Sequence, residues 1–198
     1  MAGNQVLVLI LLTLLPISTP HTALAATSSS QITTYTQYIK TGCNSTLYPQ
    51  LCYKSLSPYA SEIKGNPQEL CKTALSIALQ AARNASSTVS NLGQQKTLTP
   101  YEASVIKDCV VNIKDSIDEL KQSLQAMDRL SGSDKEFQLS NIKTWVSAAL
   151  TDENTCNDGL DEGGQKISAA VKNKIRNSIL IVARLTSNAL ALINNLKI

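Results

Sequence analysis

From Ile106 to Met127 the apolar residues Ile106, Val110, Ile113, Ile117, Leu120, Leu124 and Met127 recur at alternating steps of three and four. Strand side chains alternate with period two, so this stripe belongs to a helix that buries one face against other helices. Three more segments carry such a face. Leu70, Ala74, Ile77, Ala78 and Ala81 mark the first; Ile142, Trp145, Val146, Ala149 and Leu150 mark the third. The fourth, about residues 167–196, aligns Val171, Ile175, Ile179, Val182, Leu185, Ala189, Leu192 and Leu196. Two helix starts are written twice over. Asn66-Pro67 with Glu69, and Thr99-Pro100 with Glu102, both read as capping boxes with proline in the first turn. Gly93, Gly132 and Gly163-Gly164 stop the first three helices. The chain is therefore expected to be all-α, an up-down-up-down four-helix bundle over residues 66–198.

Residues 27–65 differ. Gly42, Pro49 and Pro58 break them into short helical pieces, expected as an N-terminal helical hairpin laid on the bundle, with "TSSS" (residues 27–30) an unstructured start. Together residues 27–198 form one expected domain. Ahead of it, "VLVLILLTLL" (Val6–Leu15), broken only by Thr13, is followed by Pro16, Pro20 and "TALAA". That order reads as a secretory leader over residues 1–26, cut after Ala25 or Ala26, because the apolar run is too short to span a bilayer. The expected mature protein is exported to the apoplast or cell wall and is free of the membrane.

Export makes disulfides the default for the five cysteines. Cys43 and Cys52 lie close, and Pro49 favours a turn between them. Closing so short a loop stabilises by roughly 2–3 kcal/mol in the chain-entropy model. Cys109 and Cys156 sit on the second and third bundle helices, which run antiparallel as neighbours. The preferred pairing is Cys43–Cys52 and Cys109–Cys156, with Cys71 a buried free thiol. Asn44 and Asn84 head sequons for glycosylation; Asn84 falls mid-helix near the apolar face, which makes it the poorer acceptor.

Little here does chemistry. The one histidine, His21, falls in the leader, so catalysis by a Ser-His-Asp or Cys-His set is excluded, as is a histidine zinc site. With 18 basic and 15 acidic residues and few aromatics, neither a basic run nor a stacking platform suggests nucleic acid. Asp115, Asp118 and Glu119 are spaced as a solvated charged face. The two carboxylates of "DEGG" (Asp161–Gly164) are too few for calcium. No catalytic residue, metal, cofactor or small-molecule substrate is expected; a rigid binding protein is.

Three stretches carry a resemblance: "CNSTLYPQLC" (43–52), "KDCVVNIKDSIDEL" (107–120) and above all "IKTWVSAALTDENTC" (142–156). On these the chain resembles plant invertase and pectin methylesterase inhibitors, over the whole expected mature sequence. The resemblance implies a four-helix bundle with an N-terminal hairpin, disulfides within the first and within the second pair of the four shared cysteines, and a one-to-one complex that covers an enzyme's substrate cleft. "TWVSAALT" looks more like the pectin methylesterase side. Acid invertase is the alternative target, but its inhibitors carry Pro-Lys-Phe where this chain has "DKEF" (Asp134–Phe137). A non-inhibitory apoplastic structural or developmental protein is a third reading. The block also resembles pro-regions fused to esterases; with no catalytic domain following it here, a free inhibitor is expected. Carried over by position, Asp115, Asp118 and Thr155 match contact residues, with Asp152 and Asp158 looser matches. Val111 and Ile113 stand where relatives can have a polar residue and a tyrosine.

Overall fold

The computed structural model describes residues 21–198. The expected leader, residues 1–26, lies outside this range except for its last six residues. Seven α-helices follow one another: α1 (His21–Cys43), α2 (Pro49–Leu56), α3 (Ala60–Ile63), α4 (Pro67–Gly93), α5 (Pro100–Met127), α6 (Lys135–Glu162) and α7 (Ala169–Asn194). No strand occurs among the described residues.

Helices α4 to α7 each pack on their neighbour in sequence, and α7 closes the square against α4. This is the up-down-up-down bundle that short loops and one apolar face per helix require. Ile113 and Leu120 of α5, Ile142 and Leu160 of α6, and Ile175 and Ile179 of α7 are fully buried at its centre. Truncating any one to alanine would cost roughly 2–5 kcal/mol.

The helix starts are where the sequence placed them, with one difference. Thr99 Oγ1 accepts from Glu102 N at 3.2 Å and Glu102 Oε2 accepts from Thr99 N at 2.9 Å, a complete capping box. At α4, Asn66 Oδ1 accepts from Gln68 N and Glu69 N, but the Asn66 N–H already donates to Ile63 O at 2.8 Å. Glu69 has no orphan donor left to satisfy there, so only half the box forms. The third bundle helix, expected from its apolar stripe to begin at about Leu139, starts at Lys135. Its first turn, Lys135 to Gln138, buries no residue fully and so carries no stripe to read. The second ends at Met127, short of Gly132, as residues 128–132 tighten into turns closed by Arg129 N to Ala126 O and Gly132 N to Arg129 O.

The arm, α1 to α3, lies over the α4–α7 side, with α2 touching both. Its first helix is longer than the breakers suggested. "TSSS" is helical rather than unstructured, and Thr33 and Thr34 hydroxyls donate back to the Ser29 and Ser30 carbonyls at 2.9 and 3.1 Å. Cys43 and Cys52 are disulfide-bonded, with Cα atoms 5.6 Å apart, and clasp α1 to α2. The turn between them is seated by α7. Asn188 Oδ1 accepts from Tyr48 N and Asn188 Nδ2 donates to Tyr48 O, both at 3.0 Å. Arg184 of the same helix lies over the Tyr48 ring. Lys64, in the left-handed region at φ 48°, and Gly65 at φ 75° turn the chain from the arm into α4.

Candidate functional site

The α5–α6 face holds the candidate residues. Cys109 of α5 and Cys156 of α6 are joined, with Cα atoms only 4.6 Å apart, which fixes the register of the two helices. Beside this bond runs an open groove of about 460 Å³, whose walls include Tyr101, Asp108, Asn112, Thr155 and Asp158. Thr155 is exposed there, its hydroxyl donating to Thr151 O at 2.9 Å.

Further along the same pair of helices, acids gather. Asp115 is exposed on α5, and Asp152 of α6 is half-buried among Asp115 and Glu119. Glu119 is not the solvated side chain its spacing suggested. It is half-buried, and its Oε2 is shut from water with no donor. Burial, then the neighbouring Asp152 and Asp115 carboxylates, pushes Glu119 up to about 7. Burial and Asp115 likewise raise Asp152. At mildly acid pH this cluster thus holds a proton and can donate as well as accept. Asp118 does not join it; its carboxylate pairs with Lys121 Nζ at 2.7 Å. Of the five acid and threonine positions, then, four share one strip and Asp118 stands apart.

Beneath the strip lies a residue that sequence reasoning missed. Glu153 is fully buried on α6. Its Oε1 accepts from Ser116 Oγ of α5 at 2.7 Å and from Thr186 Oγ1 of α7 at 2.9 Å, while Oε2 has no partner. Burial pushes its carboxyl up to about 8. The node ties three helices directly under the candidate face. Spacing held the signal: Leu139, Ile142, Val146, Ala149, Glu153, Cys156 and Leu160 form an unbroken alternation of threes and fours.

Among the described residues no other set assembles chemistry. Asp161 of "DEGG" is taken by Lys172 at 3.0 Å and by Arg176, and these cations hold its carboxyl below the usual range. Among the described residues no cluster of His, Cys, Asp or Glu could hold a metal ion. Cys71 is buried and unbonded, and burial raises its thiol to about 12, so it is inert as a nucleophile. Val111, 49% exposed, lies one turn before Asp115, whereas Ile113 is fully buried and belongs to the core.

The family model described as "Plant invertase/pectin methylesterase inhibitor" matches residues 37–192, which include this whole face. The chain belongs to that family. It is 46% identical over 173 residues to Pectinesterase inhibitor 10 of Arabidopsis thaliana, covering 86% of this chain but 54% of that relative. It is 44% identical to Pectinesterase inhibitor 4 of the same plant, across 86% of both chains. The 21 kDa protein of Daucus carota is 44% identical over 80% of this chain and 83% of its own. A crystal structure of a mutant pectin methylesterase inhibitor from Arabidopsis superimposes with a TM-score of 0.61 at 22% identity, over 78% of this chain and 94% of that one. At that identity the match speaks for the family fold alone. No helix of the described residues is long and apolar enough to cross a membrane.

Proposed function

We propose that this family member is an exported inhibitor of pectin methylesterase that works in the apoplast or cell wall. It forms a one-to-one complex in which the α5–α6 face covers the cleft where the esterase would take pectin. The observation that carries this reading is the 44% identity to Pectinesterase inhibitor 4 across 86% of both chains. The face supports it physically. Asp115, Asp152, Thr155 and Asp158 present acceptors and a hydroxyl on two helices locked by a disulfide, and a preorganised surface loses little freedom on binding.

The test is a parallel titration of oxidised protein against one pectin methylesterase and one acid invertase. Stoichiometric loss of esterase activity, with invertase untouched, is the expected result. Inhibition of neither at micromolar protein would reject the inhibitor reading and leave a non-inhibitory cell-wall role. Replacing Thr155 with Arg, which fills the groove, should weaken esterase inhibition by about tenfold or more while leaving thermal unfolding within a few degrees. One observation favours invertase as a second reading. Phe137 of "DKEF" is 65% exposed at the start of α6, where invertase inhibitors carry their own phenylalanine. If Phe137→Ala abolishes inhibition and Thr155→Arg does not, that reading wins.

A further inference from the structure

Asn84 heads the sequon Asn84-Ala85-Ser86 in the interior of α4 and, against the sequence expectation, is exposed. Helix side chains lean toward the N-terminus of their helix. Asn84 does so, and Gln80 Nε2 donates to its Oδ1 at 3.1 Å. With the oxygen engaged, Nδ2, the atom that bears an N-linked sugar, is left for a glycan. The amide borders an open groove of about 450 Å³ running back along α4 to the arm. Tyr59 of the arm, 37% exposed, forms one end. Ile77 of α4 and Leu185 of α7 give it an apolar floor, and Thr73, Ser76 and Gln80 line it with hydrogen-bonding groups. A pyranose ring has the matching pattern, with a C–H face for an aromatic or aliphatic surface and hydroxyls at its edge. The volume suits roughly one or two sugar rings. Asn44, by contrast, stands in the exposed turn inside the loop that the clasp closes, where its sequon threonine is buried and donates to Cys43 O.

We infer that Asn84 carries an N-linked glycan whose first N-acetylglucosamine lies back in the α4–α7 groove against Tyr59 and braces the arm on the bundle. In the transfer, Nδ2 bonds to the anomeric carbon of a lipid-diphosphate-linked oligosaccharide. The carbon–oxygen bond to the diphosphate breaks, the diphosphate leaves with the electron pair, and Nδ2 gives up one proton. The segment receives its sugar while still unfolded on entering the secretory compartment, so its helical fate is no obstacle. The groove lies on the side opposite α5–α6, since α4 and α7 are the other edge of the square. The glycan therefore leaves the candidate face open.

The inference rests on the reading that the protein is exported, and the experiment separates the two. Protein is collected from the medium of secreting plant cells, its glycopeptides are mapped, and the high-mannose form is trimmed enzymatically to a single N-acetylglucosamine. Occupancy at Asn84 is expected. The one-sugar form should exchange amide hydrogens over residues 49–63 about threefold or more slowly than N84Q protein made the same way. Thr73→Arg, which fills the groove, should erase that difference without removing the sugar. A bare Asn84 in exported protein overturns the inference and leaves export standing. A sugar at Asn84 that does not change exchange overturns the seating in the groove. Protein retained in the cell with both sequons bare rejects export and inference together.

Discussion

Glu102 and Glu153 are both buried glutamates on long bundle helices, yet one is held at about 2 and the other pushed to about 8. The difference lies in the donors. Glu102 sits at the end of the bundle, where Oε2 accepts from Thr99 N and Oγ1 and Oε1 accepts from Ser168 N at 2.9 Å. Backbone N–H groups at two helix starts thus favour the charged form. Glu153 lies in the middle, offered two hydroxyls on one oxygen and nothing on the other, and burial decides. Burial is common to both, and the donors offered decide whether it prevails: the charged carboxylate fastens the start of α5 to that of α7, and the neutral one spans α5, α6 and α7.

Substitution and pH together test this contrast. The largest effect is expected from Glu153→Ala, which strands two buried hydroxyls and opens a cavity. Unfolding at pH 5 should show a loss of roughly 4 kcal/mol. Next is pH itself. Because Glu153 is raised in the folded state, its stabilisation is full below about 4.5 and is lost as pH rises toward 8, with Glu119 and Asp152 acting in the same direction. The native protein should lose roughly 3 kcal/mol between pH 5 and 8.5. Glu153→Gln should flatten that slope and be the more stable form at pH 8.5. Glu102→Gln should behave oppositely: a smaller deficit, full above about pH 4.5 and fading as pH falls toward 2, since the native carboxylate is lowered. A deficit that grew in acid would contradict the assignment. The smallest effect is Thr99→Ala, about 1 kcal/mol by thermal unfolding, from loss of the cap alone.

What could be read from the sequence follows the reach of each signal. Helices α4 to α7 announce themselves because apolar spacing is local, and Asn66-Pro67 and Thr99-Pro100 mark two starts within a residue. The bundle order follows from short loops. Glu153 went unread although the spacing includes it, because a carboxyl on an apolar stripe is visible only when polar residues are counted as part of the stripe. Glu119 and Asp152 needed the register between α5 and α6, which no single helix contains. Asn84 was misplaced for a related reason. Its neighbour Ala85 is the buried one, and a turn of 100° separates the two faces.

The clamp of Asn188 on Tyr48 sets the order of assembly. It joins residues 140 apart in sequence, and loop closure over long separations is slow relative to local contacts. The ribosome delivers the arm first and α7 last, so the arm emerges long before its seat exists. The clasp between Cys43 and Cys52 spans nine residues and can close at once. The arm is thus a prefabricated piece that waits, already knotted, for the chain to finish. Pulsed hydrogen exchange during refolding should find Tyr48 N–H protected after the α5–α6 pair, in the last kinetic phase.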